Sequence, residues 1–270
     1  PVARPGDKYD FYNNSDLVEK GSLTVVSASY DKETKRHKVK FLEPISGIEI
    51  DDVAYNANFT TASVIVKNTV LGGNRSRATI LSARNILFEN VKIHHTGLIG
   101  AMIFGDKLRS HRPAPSAENL TFKNCVFENN ALTSLHVYTG AADSGFAQKN
   151  INIIDCKFID NKNESKYSGS KYKYTMFPNV MYIQCGIFYR DVLKGEISGN
   201  TFTGFSKPLT IHNSKDIVVK NNKCLDAKAM PLTIDDESCV NLISENNENF
   251  EKINTTKGLD LSFLYYNDMR

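Results

Sequence analysis

The 270-residue sequence contains no tryptophan, only five cysteines and no long apolar run. The cysteines are odd in number and none forms a CxxC pair, so the sequence favours neither a disulfide framework nor a structural zinc site. No stretch approaches the roughly 18 to 20 consecutive apolar residues of a transmembrane helix, and no basic-then-apolar leader opens the chain. We therefore expect a soluble protein with no membrane partner.

An excess of one charge is also lacking. Thirty-three lysines and arginines stand against thirty aspartates and glutamates, which leaves a formal charge of +3. A balance this even does not predict nucleic acid as a partner. Hydrophobic residues make up 41% of the chain and charged residues 23%, which is typical of a globular protein long enough for one large core or two modest ones.

The sequence does contain many asparagines, and they recur within one repeated phrase of alternating apolar residues. Copies of the phrase lie at 64–71, 86–93, 120–127, 151–158, 196–202, 218–224 and, in decayed form, 242–247. Measured at the asparagine position, the first six copies are 22, 34, 31, 44 and 22 residues apart. A minimum unit of about 22 residues with insertions of variable length predicts a solenoid.

Each repeat predicts several short strands. Apolar residues alternate within each copy, and β-branched and aromatic residues are enriched, which favours strand over helix. A second apolar run follows most copies, at 78–81, 101–104, 134–137, 181–183, 208–211 and 231–234. The sequence therefore predicts an all-β fold, a right-handed parallel β-helix, in which each coil buries its apolar side chains by stacking on the next.

The repeated asparagine has a physical explanation at a tight bend between two strands. Such a bend needs a positive φ, which asparagine tolerates and glycine supplies freely, and Gly199 stands at this position in the fifth copy. Stacked asparagine amides can also form hydrogen bonds from coil to coil. After the bend, Cys125 and Cys156 are predicted to point inward, one above the other, with about 4.8 Å between coils. Either a disulfide or two buried free thiols fits this geometry.

Residues 1–60 fall outside the repeat and predict a small antiparallel β subdomain. Its predicted strands are 8–12, 22–30 and 38–42, with a charged hairpin turn at 31–35 and a further short strand at 48–53. We expect the parallel β-helix over 61–250 and a capping tail over 251–270. The apolar cluster of that tail is predicted to protect the open end of the solenoid from edge pairing.

Three segments together resemble a family of enzymes. They are PGDKYDFYNNSDL at 5–17, KVKFLEP at 38–44 and NRSRATILSARNILFENVKIHHTGLIGAMIFGD at 74–106. They resemble the later part of glycoside hydrolase family 110, bacterial exo-acting α-1,3-galactosidases, over roughly the first 130 residues of this chain. The resemblance implies a β-helix interrupted by a small β-barrel-like insertion. It also implies a secreted, periplasmic or cell-surface bacterial enzyme that hydrolyses terminal α-galactosides with inversion and without a cofactor.

The same resemblance implies roles for particular residues. Arg75 and Arg77 match the family's Arg-x-Arg pair, its most specific element, and Asp106 matches the aspartate of its Gly-Asp turn. The family's catalytic aspartates lie in coils that precede this segment, which implies further β-helix coils upstream of Pro1. The chain departs from the family at 107–116, KLRSHRPAPS, so the sugar that it recognises stays open. A homo-oligomer is also left open.

Inverting hydrolysis needs an acid and a base carboxylate about 6.5 to 9.5 Å apart. The adjacent acids are Asp51 with Asp52 and Asp235 with Asp236, and for both pairs a structural or turn role is the alternative. Asp106 ends a coil strand, where capping of a turn is the alternative. The catalytic residues are therefore unknown, with Asp106, Asp235 and Asp236 as the candidates.

Four residues are predicted to bind substrate: Arg75, Arg77, His136 and Tyr138. Arginines at alternate positions share one face and suit sugar hydroxyls or a carboxylate, with pairing to an acid such as Glu89 as the alternative. The histidine and the tyrosine lie on a coil strand one coil after Asp106. The insertion at 162–177 alternates lysine and tyrosine, which suits an acidic polymer unless it is simply a solvated loop.

No metal or cofactor is predicted. His94 and His95 end a strand of the second coil, and His111 lies in the insertion that follows. Neither HxxxH nor HxH spacing, which would bring several histidines onto one ion, is present.

Three functions remain open at this point, all with an oligo- or polysaccharide as the partner. The preferred one is an inverting exo-glycosidase that acts on terminal α-galactosides or related sugars. The second is a glycan-binding or adhesion β-helix without catalysis. The third is a polysaccharide lyase, for which Arg190, Asp191 and Lys194 are the indication.

Overall fold

The computed structural model describes residues 3–60, 63–105, 116–139, 145–161, 185–205, 207–226, 232–234, 238–250 and 252–253. Within these residues the chain forms one antiparallel sheet followed by three parallel sheets. No helix of the described residues is long and apolar enough to span a lipid bilayer.

The antiparallel sheet contains four strands in the order β3-β2-β1-β4. They are β1 (Lys8–Tyr12), β2 (Glu19–Asp31), β3 (Arg36–Phe41) and β4 (Val53–Asn56), followed by a short helix α1 (Ala57–Thr60). The predicted strand at 48–53 is wrong, because the strand begins only at Val53 and pairs with β1. The residues before it form a turn, in which the Asp52 carboxylate accepts hydrogen bonds from the Glu49 backbone amide and the Lys20 ammonium.

The remaining strands form three parallel sheets, which we call the first, second and third parallel sheets. The first contains β5 (Val64–Lys67), β8 (Arg84–Glu89), β11 (Glu118–Lys123), β14 (Gln148–Ile154), β17 (Val192–Ser198), β20 (Lys215–Lys220) and β23 (Val240–Glu245). The second contains β6 (Val70–Gly72), β9 (Lys92–His94), β12 (Val126–Glu128), β15 (Lys157–Ile159), β18 (Thr201–Thr203) and β21 (Lys223–Cys224). The third contains β7 (Thr79–Leu81), β10 (Ala101–Gly105), β13 (Leu135–Thr139), β16 (Ile187–Arg190), β19 (Leu209–His212), β22 (Leu232–Ile234) and β24 (Lys252–Ile253).

Each inner strand of a parallel sheet pairs with the strand one coil earlier and the strand one coil later, and the edge strands pair with one neighbour. This arrangement confirms the predicted parallel β-helix. One predicted run, 181–183, lies outside the described residues, and the strand that pairs in its row is β16. The division of the chain at residues 60 and 250 stays a prediction.

The interior of the solenoid is filled by side chains that stack from coil to coil. Phe158 lies between Phe127 and Phe202, with ring centroids 4.8 and 4.9 Å apart and nearly parallel planes. All three rings are fully buried. Such continuous burial of aromatic area is the main source of stability that this repeat can supply.

Two residues separate the first sheet from the second in each of the first six coils. The first of the two is always in the left-handed region, with φ between 50° and 66°, at Asn68, Asn90, Asn124, Asp155, Gly199 and Asn221. We call this set the bend column. The Asn124 side-chain amide donates a hydrogen bond to the side-chain oxygen of Asn90 at 2.6 Å. The Asn90 side-chain amide donates in the same way to the side-chain oxygen of Asn68 at 3.0 Å. Both the predicted backbone conformation and the predicted amide ladder are confirmed.

The second bend residue points inward. In successive coils this inner column contains Val91, Cys125, Cys156, Asn200 and Asn222, all buried. Both thiols are free, and the Cys125 backbone amide donates to the Cys156 sulfur at 3.4 Å. Burial raises the pKa of the Cys156 thiol well above its ordinary value. The two cysteines therefore act here as small core side chains.

The two inner-column asparagines satisfy their own polar atoms. The Asn200 amide donates to the Ile153 carbonyl and to Asn222, while its side-chain oxygen accepts the Cys156 backbone amide. Asn222 makes the equivalent bonds to Ile197 and Asn247. A polar side chain can therefore replace cysteine inside the core without leaving an unsatisfied atom.

The antiparallel sheet packs along the side of the solenoid. The Arg84 guanidinium on β8 donates to the Asp10 carboxylate at 3.0 Å and to the Tyr12 hydroxyl at 2.9 Å. The Gly145 backbone amide donates to the Asp16 carbonyl at 3.1 Å. These contacts lie on the flank of the coils, at the first parallel sheet and at the segment that leads into it.

Candidate functional site

Strands β10, β13, β16 and β19 of the third parallel sheet are buried on both faces, whereas the outward Ile80 of β7 is 54% exposed. The inward side chains of the sheet belong to the core: Leu135, Val137, Ile187, Tyr189, Leu209 and Ile211. Because side chains alternate along a strand, the residues between them point away from the core. Four of these outward side chains pair in one row and are no more than 6% exposed: Met102, His136, Phe188 and Thr210.

A second outward row lies two residues further along the strands. Phe104 pairs with Tyr138, and Arg190 pairs with His212. Phe104 and Tyr138 are half-buried, whereas the arginine and the histidine are buried. We call the following residues of the two rows the outer-face cluster: Phe104, His136, Tyr138, Phe188, Arg190, Thr210 and His212.

Aromatic rings join the members of this cluster. The His136 ring lies 4.5 Å from the Tyr138 ring and 4.7 Å from the Phe188 ring, measured between centroids. Phe104 lies 4.7 Å from Tyr138. Since Phe104 and Tyr138 keep part of their surface in solvent, the cluster has a half-exposed aromatic rim over a buried polar floor.

Polar atoms of the floor lack partners. Both ring nitrogens of His136 and the Thr210 hydroxyl are buried, and within the described part of the chain none of these atoms has a hydrogen bond. The same is true of the Arg77 Nε atom and the Ser134 hydroxyl. An unsatisfied buried polar group costs about 1 to 3 kcal/mol, so a ligand that paired with any of these atoms would remove that cost.

The electrostatics of the cluster keep His136 neutral. Burial, together with the positive charges of Arg77 and Arg190, lowers the pKa of this imidazole to about 3. At neutral pH the ring therefore offers one N–H donor and one nitrogen acceptor.

Asp191 orients the floor from one side. Its carboxylate accepts hydrogen bonds from the Thr139 hydroxyl at 2.6 Å and the Asn213 amide at 2.7 Å, and lies 3.2 Å from Arg190 Nε. Asp191 is fully buried and has a φ of 63°. Both of its oxygens are engaged, so this carboxylate fixes the position of Arg190.

The structure brings together three of the four predicted substrate-binding residues. His136 and Tyr138 are members of the cluster, and the half-buried Arg77 is close enough to act on His136. Arg75 is exposed in the turn before β7 and does not join them. Glu89, the predicted alternative partner of the arginines, pairs with Lys67 at 2.8 Å instead.

The three candidate catalytic aspartates, Asp106, Asp235 and Asp236, lie outside the described residues, and so do His111 and the insertion 162–177. Their predicted roles stay predictions. The other adjacent acids have a structural position, since the Asp52 carboxylate holds the turn that precedes β4.

His94 and His95 lie apart from the cluster, at the end of β9. Their Nδ1 atoms are 2.9 Å apart, so one ring donates to the other. Burial, with the neighbouring His95 and Lys92, lowers the pKa of His94. Among the described residues, no three histidine, cysteine or acidic side chains are grouped so that they could hold a metal ion.

Sequence reasoning missed five members of the cluster: Phe104, Phe188, Arg190 as a member of this face, Thr210 and His212. Their signal is the alternate positions of the second apolar run in each unit. For this unit the second apolar run was predicted at 181–183, whereas the strand that pairs with β13 and β19 is Ile187–Arg190. The outward residues of this strand could therefore not be aligned with those of its neighbours from the sequence. With that register, the residues between the core positions identify the outward face directly.

Such a face has a definite chemical capacity. Half-exposed aromatic rings provide flat apolar surfaces, on which the C–H faces of a sugar ring can stack. The His136 imidazole beside Tyr138 and the Thr210 hydroxyl further along the row have no hydrogen bond among the described residues, so they can exchange hydrogen bonds with hydroxyl or oxyanion groups of a ligand.

Comparisons with known proteins agree with the fold. Residues 45–180, half of the chain, match the family described as the right-handed β-helix region. The chain therefore belongs to this family, and the predicted right-handed parallel β-helix is confirmed. No curated protein sequence matches the chain significantly.

One solved structure is distantly similar to the chain. The chain is similar to the Streptococcus pneumoniae surface protein and adhesin PfbA, with 10% sequence identity and a TM-score of 0.36. The similarity covers 70% of this chain and 65% of that protein, less than two thirds of its length. This likeness is too distant to indicate a shared function.

Proposed function

We propose that the protein acts on carbohydrate at the outer-face cluster. The observation that carries the proposal is the buried His136 imidazole, which has no hydrogen bond among the described residues, beside the half-exposed rings of Tyr138 and Phe104. A sugar supplies both an apolar ring face and hydroxyl groups. Hydroxyls of an oligosaccharide that lies along the row would pair with the His136 imidazole and, two strands further on, with the Thr210 hydroxyl, which removes the desolvation cost of these groups.

Hydrolysis of terminal α-galactosides is the finer form of this proposal. It is supported by the resemblance of three segments to glycoside hydrolase family 110, whose arginine pair corresponds to Arg75 and Arg77. Inversion requires two carboxylates with room for a water between them. The candidates for that pair are Asp106, Asp235 and Asp236. The same resemblance supports a secreted, periplasmic or cell-surface location, and further coils upstream of Pro1.

Binding without catalysis is the second candidate. It is favoured by the state of Asp191, the carboxylate in contact with the cluster, because both oxygens of this group already accept hydrogen bonds within the fold. In this alternative the cluster holds a glycan and no bond is broken.

Calorimetric titration of the purified chain with α-linked galactose oligosaccharides and with galacturonate oligosaccharides tests the proposal. We expect binding by the unmodified chain and a loss of at least about tenfold in affinity for Tyr138→Ala, since stacking on one aromatic ring contributes on the order of 1 kcal/mol or more. Tyr30→Ala is the matched control, because this tyrosine is 53% exposed on the antiparallel sheet. Absence of binding to every glycan, or an equal loss in both variants, would overturn the proposal.

Turnover separates the two forms of the proposal. Release of reducing sugar from an aryl α-galactoside supports hydrolysis, and the Asp106→Asn, Asp235→Asn and Asp236→Asn variants then identify the carboxylates by loss of that release. An unsaturated product from a uronate polymer indicates a lyase. Binding without either product identifies a glycan-binding β-helix.

A further inference from the structure

Two polar side chains of the outer-face cluster, His136 and Thr210, lack hydrogen bonds among the described residues and lie on different coils. His136 pairs with Phe188 on the next strand, and Phe188 pairs with Thr210 on the strand after that. Neighbouring strands of a sheet lie about 4.8 Å apart, so the imidazole and the hydroxyl are separated by about 10 Å along the solenoid axis. Both side chains are no more than 6% exposed.

A ligand that pairs with both groups must span that distance. One pyranose ring is about as wide as the gap between neighbouring strands, so a ring beside His136 ends before it reaches Thr210. A chain of three sugar residues that runs parallel to the solenoid axis advances by about one strand per residue. Its first and third residues then lie at the imidazole and at the hydroxyl.

The side chains around these two groups suit the same arrangement. Phe188 lies between them, 4.7 Å from the His136 ring, so the middle sugar residue would face an aromatic ring. The Tyr138 ring lies 4.5 Å from the imidazole, at the place of the first sugar residue. Toward β7 the row continues with Met102 and Ile80, whose apolar side chains offer no strong hydrogen-bonding group. Polar recognition of the ligand therefore begins at His136.

On this basis, and resting on the proposed function, we infer that the outer-face cluster binds a glycan chain of at least three consecutive residues, which runs along the solenoid axis from His136 over Phe188 to Thr210. A terminal galactoside is accommodated as the residue at one end of this chain. The site recognises the chain through both polar groups, and no single sugar ring reaches the two.

Calorimetric titration of the full chain with saccharides of increasing length tests the inference. The ligands are the mono-, di- and trisaccharides of α-linked galactose and those of galacturonate. Within the series that binds, we expect the trisaccharide to bind about tenfold or more tightly than the disaccharide. The reason is that only the trisaccharide reaches both buried groups and supplies each with the hydrogen bond that it lacks.

Variants at the two ends link this ratio to the two side chains. Thr210→Val replaces the hydroxyl with a methyl group and breaks no hydrogen bond among the described residues, so it should reduce the ratio of trisaccharide to disaccharide affinity to about one. His136→Phe should do the same from the other end. Thr121→Val is the matched control and should keep the ratio, because this threonine is a half-buried outward residue of the first parallel sheet. Melting curves show that each variant is folded.

A further variant tests the direction of the chain. The Ser134 hydroxyl, two residues before His136, is also buried without a hydrogen bond among the described residues. A glycan that followed strand β13 would pass toward this hydroxyl and away from Thr210. Loss of the ratio in Ser134→Ala, with the ratio intact in Thr210→Val, would therefore overturn the axial arrangement.

The outcomes separate the inference from the proposed function. Equal affinity for the disaccharide and the trisaccharide, or a ratio that survives Thr210→Val, overturns the inference and leaves carbohydrate binding standing. Failure of every saccharide to bind overturns both.

Discussion

The interior of the solenoid and the outer face of its third parallel sheet are both buried, but they differ in how polar atoms are treated. In the interior, the Tyr189 hydroxyl donates to the Ile151 carbonyl at 2.8 Å, and the inner-column asparagines form hydrogen bonds with each other from coil to coil. On the outer face, His136 and Thr210 have no partner within the described chain. Burial is therefore common to both regions, and the unused donors and acceptors are what make the outer face the candidate binding site.

Removal of a stacked interior ring should have the largest effect on stability. Phe158→Ala deletes a fully buried side chain between two parallel rings, so we expect a loss of about 3 to 5 kcal/mol in the free energy of unfolding. Urea titration followed by circular dichroism measures this loss. Leu42→Ala, at a residue 68% exposed, is the control and should stay within about 0.5 kcal/mol. A loss below about 1 kcal/mol at Phe158 would contradict a continuous stacked core.

A polar interior residue should be the next most sensitive. Asn200→Leu leaves the Cys156 backbone amide and the Ile153 carbonyl without their partner, which should cost about 1 to 3 kcal/mol. The measurement is the shift of the urea midpoint. Asn200→Asp keeps the acceptor and loses the donor, so it separates the two bonds. If Asn200→Leu were as stable as the unmodified chain, the interior would not depend on its asparagines.

His136→Phe should show the opposite behaviour from Asn200→Leu. Because neither ring nitrogen has a partner to lose, we expect the variant to be as stable as the unmodified chain at pH 7, or more stable. The two proteins should diverge in acid. The pKa of His136 is about 3 in the folded chain against 6.5 ordinarily, so only the unfolded chain binds this proton between those values.

The stability of the unmodified chain should therefore fall as the pH drops from about 6.5 toward 3, by about 2 kcal/mol at pH 5 relative to His136→Phe. Unfolding of both proteins in urea at a series of pH values measures this difference. A constant difference across the range would mean that the folded chain accepts the proton as readily as the unfolded one.

A modest effect is expected at the bend column. Asn124→Leu places a branched side chain at a φ of 51°, which should cost about 1 to 2 kcal/mol. Asn124→Gly removes the same side-chain hydrogen bond to Asn90, but glycine adopts a positive φ without strain. This variant should therefore cost only a few tenths of a kcal/mol at this exposed position. Melting temperatures of the two variants separate the contribution of the backbone from that of the ladder. Equal losses would assign the effect to the ladder instead.

The bend column could be predicted from the sequence because its cause is local. A positive φ selects asparagine or glycine at one position, and the alternation around that position identifies the strands. The pairing of Cys125 above Cys156 followed from the same column, since the bend always has two residues. A second left-handed position at the start of the first sheet, with Asn119 bonded to Asn85 and Asn150 bonded to Asn119, was missed. Those asparagines lie within the strands, where the alternation hides them.

The outer-face cluster could be predicted only in part. His136 and Tyr138 are visible as a polar and an aromatic residue on one strand, and Arg77 is visible through its motif. Arg190 and Thr210 join them only through the register between coils, and that register crosses an insertion whose length no local rule fixes. The sequence also gives no indication that these outward side chains are buried, because burial depends on what lies over them in three dimensions.

The two-residue bend has a practical meaning for anyone who wishes to lengthen this protein. From coil to coil the strands of the first and second sheets are joined by the same short corner. The path from the third sheet back to the first ranges from one residue, between Arg190 and Val192, to twelve, between Gly105 and Glu118. A reporter or affinity tag spliced into that variable corner should be carried without strain, whereas the same tag spliced after Asn124 would force neighbouring coils apart. The corner between the first and second sheets therefore does not accept insertions, whereas the connection between the third and first sheets does.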